Sequence, residues 1–129
     1  MSHHPPATFR LFVYGTLKRG GTRHSPLATQ RYLGEAHTTP NYALYLFGTY
    51  PGLKQCPDGG QAVHGELYEV DASLREWLDL VEGSPDWFQL DTVELVGQPG
   101  PVWAYYYQMD PGSNPRIDAG RWDPTPPAC

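Results

Sequence analysis

Apolar positions along this chain fall into short runs punctuated by glycine and proline, not into long periodic stretches. Leu11, Phe12, Val13 and Tyr14 form one such run, stopped at Gly15. Too short for an ordinary helix, it predicts a buried strand. After the glycine-flanked loop that follows, Ser25, Pro26, the stretch Leu27 to Leu33 and Gly34 stand in the order cap, first-turn proline and terminal glycine, which predicts a short helix. Tyr42 to Phe47 predicts a strand closing in Gly48-Thr49-Tyr50-Pro51-Gly52, where Pro51-Gly52 suits the centre of a type II turn. Asp58-Gly59-Gly60 predicts another turn. Ala62 to Val70 alternates as a sheet strand does, and Gly65 within it marks a bulge or a close backbone approach.

Asp71 caps the clearest helix of the chain: Leu74, Trp77, Leu78 and Val81 fall at i, i+3, i+4 and i+7, and Gly83 and Pro85 end it. Phe88 to Val96 and Val102 to Met109 predict two more strands, joined across Gly97 to Pro101. The stretch from Asp110 to Cys129, rich in proline and glycine, predicts an irregular wrap around the body. Strands outnumber helices and tight turns join several of them. The pattern therefore predicts an α+β fold, a small mixed β-barrel-like sheet with a few short helices. At 129 residues the chain fits one domain, residues 1–129, with irregular ends at 1–8 and 110–129.

Composition narrows the function classes. Apolar residues make up 40% and aromatics 13%, enough for a real core. A net charge of -5 sets the overall field against nucleic acid and anionic membrane, leaving only the local patch Lys18, Arg19 and Arg23, which reads as a solvated loop. No stretch is long and apolar enough for a signal peptide or a membrane span, so a cytoplasmic protein is expected. Cys56 and Cys129 are too far apart for a disulfide framework or a C-x-x-C motif, and Cys56 reads as a small apolar filler. Among His3, His4, His24, His37 and His64, none shows the i, i+3 or i+4 spacing of helix-borne ligands, so no metal and no cofactor is expected.

The first strand's carboxyl end is the strongest candidate site. Past Tyr14 the ladder stops, and the loop Gly15-Thr16-Leu17 has backbone N–H groups free to meet a ligand, with Gly15 allowing close approach; an ordinary surface turn is the plain alternative. Gly15 to Gly20 has the spacing of a phosphate loop, but Gly21 and Thr22 stand where lysine and a magnesium-holding hydroxyl are required. A dinucleotide fingerprint fails too, for want of its glycine pattern.

Taken together, V-Y-G-T-L-K-R-G at 13–20, Tyr50-Pro51-Gly52-Leu53, G-E-L-Y-E-V-D at 65–71, L-D-L-V-E-G at 78–83 and I-D-A-G-R-W at 117–122 resemble the γ-glutamylcyclotransferase superfamily, most nearly its AIG2-like and γ-glutamylamine branch. The resemblance implies a small barrel-like mixed sheet. It also implies that the loop Tyr14, Gly15, Thr16 and Leu17 holds a γ-glutamyl or 5-oxoproline group through backbone atoms, and that Glu82 is the catalytic base; Tyr50, in its turn, is a candidate pocket residue with surface packing as the plain alternative, and Phe88 is a candidate beside it. Phe88 and Leu90 stand where members commonly carry Tyr and Arg, and Arg121 where the tail commonly has Asp. The implied reaction releases 5-oxoproline and a free amine from a small γ-glutamyl substrate. Its nucleophile is the substrate's own α-amine, so a single positioned carboxylate and a set of N–H donors suffice. Glu66 and Glu69 are the rival carboxylates. The alternative is a non-catalytic binding or regulatory module using the same pocket; an interaction scaffold built on the proline-rich tail has composition alone behind it.

Overall fold

The computed structural model describes residues 8–122 except Thr22 and Pro85. Strand β1 (Thr8–Val13) leads through the glycine loop to a 3₁₀ turn at Ser25–Leu27. Strands β2 (Arg31–His37), β3 (Tyr42–Phe47), β4 (Tyr50–Gln55) and β5 (His64–Asp71) follow. A second 3₁₀ turn, Ala72–Leu74, runs into helix α1 (Arg75–Val81), and strands β6 (Phe88–Thr92) and β7 (Trp103–Tyr107) complete the sheet. The result is α+β: a mixed seven-stranded sheet in the order β2-β5-β1-β7-β4-β3, with β6 also paired to β7. It curves around the core but does not close into a barrel.

Three edges meet on β7, and this fixes where the site lies. β6 runs antiparallel along all of β7, from Phe88 opposite Tyr107 to Thr92 opposite Trp103. A strand has two hydrogen-bonding edges, so β1 and β4 share the other one, both parallel to β7: β1 at Leu11 opposite Trp103, β4 at Leu53 opposite Tyr106. β1 therefore loses its partner as β4 takes over, and the chain leaves the sheet at that fork. The Tyr14 hydroxyl crosses the fork, donating to Tyr105 O at 2.6 Å and accepting from Leu53 N at 3.1 Å. Burial raises its pKa far above the ordinary phenol range, so it remains a neutral structural tie. Core packs on both sides of the sheet, Leu11, Leu78 and Tyr105 in one cluster and Phe12, Leu44 and Leu67 in the other.

Several expectations are corrected. The helix expected from Leu27 to Leu33 is only the 3₁₀ turn, because Leu27 alone is buried there and Arg31–His37 pairs with β5 instead. The register shifts between Tyr32 and Gly34, which has φ 125°, and the Tyr32 ring lies 5.4 Å from that of Tyr68. Cross-strand pairing outweighs local capping signals. The turn expected at Pro51-Gly52 is strand: Gly48-Thr49 makes the hairpin, with Phe47 opposite Tyr50 and Gly48 at φ 64°. Pro51 is tolerated because Leu46, opposite it, turns its own N–H away to Pro115 O, so the missing donor faces away from β3. In α1, Leu78 is fully buried but Trp77 is 49% exposed, so the apolar stripe is narrower than its spacing suggests. The strands expected over Phe88 to Val96 and Val102 to Met109 end at Thr92 and Tyr107. Ala62 and Val63 precede β5. Gly65 is a close approach, since a Cβ there would lie 2.3 Å from Val13 O. Cys56 is half-buried, its thiol donating to Asp58 O at 3.2 Å. The tail wraps as expected as far as 122: Ile117 N bonds Leu44 O, and His64 N bonds Gly120 O. Residues 1–7 and 123–129, with His3, His4 and Cys129, and the helix-ending Pro85 lie outside the described residues.

Candidate active site

The fork opens into a narrow cleft. Its floor is the loop after β1. Lys18 N bonds Gly15 O at 2.9 Å and Arg23 N bonds Thr16 O at 2.9 Å, which closes the turn on itself through its carbonyls. The N–H groups of Gly15, Thr16 and Leu17 meet no acceptor among the described residues. Two glycines make this geometry possible. A Cβ on Gly15 would lie 2.5 Å from Pro51 Cγ, and one on Gly21 would lie 2.2 Å from Thr16 O. Leu17, 4% exposed, anchors the loop in the core, and the His24 Nδ1 lies 2.9 Å from Leu17 O, donating to it.

Opposite the loop stands Glu82. It is the C-cap of α1, its N–H bonded to Leu78 O, and Gly83 at φ 66° turns the chain away immediately afterwards. Glu82 follows Leu78 by four residues and therefore shares its inward face, which leaves the carboxylate only 8% exposed. Tyr105 fixes the helix from below, donating to Asp79 Oδ1 at 2.6 Å. Arg23, from the end of the glycine loop, reaches across the cleft. Its Nη1 donates to Glu82 Oε2 at 2.8 Å and to Val81 O at 3.1 Å. Burial pushes the Glu82 carboxyl above the usual glutamate range, and the Arg23 guanidinium opposes that rise without cancelling it.

The arrangement thus sets a buried, partly countered carboxylate against a row of unpaired amide donors. Such a pair can move one proton and hold one developing oxyanion. Residues 11–124 match the family described as Gamma-glutamyl cyclotransferase, AIG2-like. The chain belongs to this family.

A relative from Vibrio cholerae, provisionally named a gamma-glutamylcyclotransferase, is 42% identical over 112 residues, spanning 87% of this chain and 93% of its own. The gamma-glutamylaminecyclotransferase of Bos taurus is 38% identical over 106 residues, 75% of this chain and 63% of the bovine one. In three dimensions an AIG2-like protein from Mus musculus superposes with a TM-score of 0.80 at 27% identity, covering 97% of this chain and 92% of that one. This chain is accordingly an enzyme of the γ-glutamylcyclotransferase type.

Tyr14, Gly15, Thr16, Leu17, Tyr50, Phe88 and Glu82 all line this one cleft of the cyclotransferase fold. Tyr14 contributes backbone and ring, its hydroxyl being committed to the fork. Arg23 and Tyr105 also line it, and both escape sequence reasoning. Of Lys18, Arg19 and Arg23, read as a solvated loop, Arg19 and Arg23 are exposed but Lys18 is buried; Arg19 lies 4.0 Å over the Tyr32 ring and 3.5 Å from Glu66, and Arg23 pairs with Glu82 across the cleft. The rival carboxylates are elsewhere. Glu66 accepts from Arg19 N and from the Tyr68 hydroxyl, and Glu69 borders a separate groove beside Arg10 and Arg75. His37 and His64 face each other across β2 and β5 with ring centroids 5.4 Å apart, but no group of three His, Cys, Asp or Glu able to hold a metal ion occurs among the described residues. Nor is any helix there long and apolar enough to cross a membrane.

Proposed function

We propose that this cyclotransferase converts a γ-glutamyl amine or γ-glutamyl amino acid into 5-oxoproline and the free amine. One observation carries the reading: the buried Glu82 carboxylate and the unpaired N–H groups of Gly15 to Leu17 line the same small cleft. The γ-carbonyl oxygen rests on the loop donors, and the α-ammonium faces Glu82. Glu82 takes a proton from the ammonium; the freed α-nitrogen attacks the γ-carbon, and the carbonyl π electrons move onto oxygen, where the amide donors stabilise them. As that oxyanion collapses, the bond from the γ-carbon to the leaving nitrogen breaks; Glu82 gives its proton to that nitrogen, takes the second proton from the ring nitrogen and passes it on, so that both protons lost by the α-ammonium end on the leaving amine, which departs as an ammonium. Atoms balance without water. The raised pKa suits a group that must both accept and donate.

The non-catalytic alternative draws on Phe88 and Leu90 together. Leu90 is packed in the core and does not line the cleft, so only Phe88 bears on the pocket. The test is incubation with a panel of γ-glutamyl amines and amino acids, scoring 5-oxoproline. Release from at least one panel member is expected; silence across the panel at high enzyme concentration contradicts the reading and favours the binding module.

A further inference from the structure

We infer that the leaving amine carries a ring-bearing, apolar skeleton and no carboxylate, and that Tyr50 at the cleft mouth, backed by the buried Phe88, selects it. This rests on the cyclotransferase reading and deepens it. The first support is a charge inventory. Among the described residues lining the cleft, Arg23 is the one cation and Glu82 the one anion. Lys18 and Arg19 line a different cleft, with His64 and Arg121. Every γ-glutamyl compound brings an α-ammonium and an α-carboxylate. The ammonium goes to Glu82, and among the described lining residues the one countercharge left for the α-carboxylate is the guanidinium of Arg23, already held in place through Nη1. The account is then balanced. An amino acid as leaving group adds one more carboxylate with no cation to meet it, in a partly buried site of a protein with net charge -5, and such a group is costly to remove from water.

The second support is the shape of the exit. Most of the lining is buried; Thr16, Arg23 and Tyr50 are the described lining side chains that reach solvent, so the leaving group departs between them. Tyr50 is backed by an aromatic stack: its ring centroid lies 6.1 Å from Phe88, Phe88 lies 5.3 Å from Tyr107 at an interplanar angle of 67°, and Tyr107 lies 3.7 Å from Phe47. Aromatic faces carry partial negative charge. They accept the positive edge of another ring and repel a carboxylate.

Three substrates isolate the two features. γ-Glutamyl-phenethylamide and γ-glutamyl-phenylalanine differ only in the carboxylate, and γ-glutamyl-ethylamide lacks only the ring. The expected kcat/KM for the phenethylamide exceeds that for the phenylalanine compound by at least about tenfold and that for the ethylamide by about threefold or more, consistent with burial of apolar ring surface. Tyr50→Lys, which supplies the missing cation at a half-exposed position, should shrink the first ratio at least about fivefold. Equal or better use of γ-glutamyl-phenylalanine, or a ratio unmoved by Tyr50→Lys, overturns the inference. Calorimetric affinities of the same three compounds for the Glu82→Gln variant keep the two readings apart. No 5-oxoproline from any compound sinks the cyclotransferase reading, while the selectivity inference stands or falls on the affinity order.

Discussion

Glu82 works under two opposed influences, burial that favours its neutral form and a guanidinium at 2.8 Å that favours its charged one. If Glu82 is the proton acceptor, its charged form is the active one, and activity should fall on the acid side as Glu82 protonates, at a pH above its ordinary value of 4.5. Arg23 holds that limb down. Arg23→Gln removes the opposing influence while retaining a hydrogen-bond donor, so the Glu82 pKa rises further and the acid limb of the kcat/KM profile shifts to higher pH. A limb that stays in place in a folded Arg23→Gln variant would show that Arg23 is only a structural clamp. Glu82 was legible in sequence through its L-D-L-V-E-G setting at a helix end. Arg23 was not: 59 positions separate it from Glu82, and in sequence it stands beside Lys18 and Arg19 like any solvated charge.

At the level of elements, the loop after β1 owes its function to the sheet around it. β1 loses β7 where β4 takes over that edge and ends its pairing with β5 at Val13, and beyond it the amide donors of Gly15 to Leu17 lie at a point that Leu17 and Tyr14 anchor in the core. The apolar run ending at Gly15 reveals the strand and the loop, because both are local signals. It cannot reveal the fork, which depends on three strands far apart in sequence. The same limit explains β2, where cross-strand pairing to β5 overrides a locally complete set of helix signals. If the loop anchors its ligand through backbone donors, Thr16→Pro, which deletes one of them and restricts φ, should weaken 5-oxoproline binding by about threefold to tenfold, the value of one hydrogen bond to a neutral carbonyl. Titration calorimetry on the folded variant checks this. Parent-like affinity would remove the loop from the binding role.

Over the whole molecule, the mixed character of the sheet and its short helix follow from composition and turn spacing, whereas its open form does not. A barrel-like closure is a property of the curvature summed over seven strands, and no residue encodes it alone. Global stability carries the imprint of the site. Because the folded-state pKa of Glu82 lies above its unfolded value, the native protein takes up this proton before the unfolded chain does. The contribution of Glu82 to stability therefore improves as pH falls through its native pKa and levels off below about 4.5. At neutral pH the buried charge is a liability held in check by Arg23.

The most direct test of the central claim is Glu82→Gln, measured for 5-oxoproline release, 5-oxoproline binding and denaturant stability on one preparation. The substitution keeps size and removes the carboxylate proposed to accept the proton. The expected result is a folded protein at least as stable as the parent at neutral pH, an advantage that disappears on acidification, retained 5-oxoproline binding, and turnover reduced at least about a hundredfold, the low end for general acid–base catalysis. Near-parental turnover by the folded variant would contradict the assignment of Glu82 as the proton-transferring group.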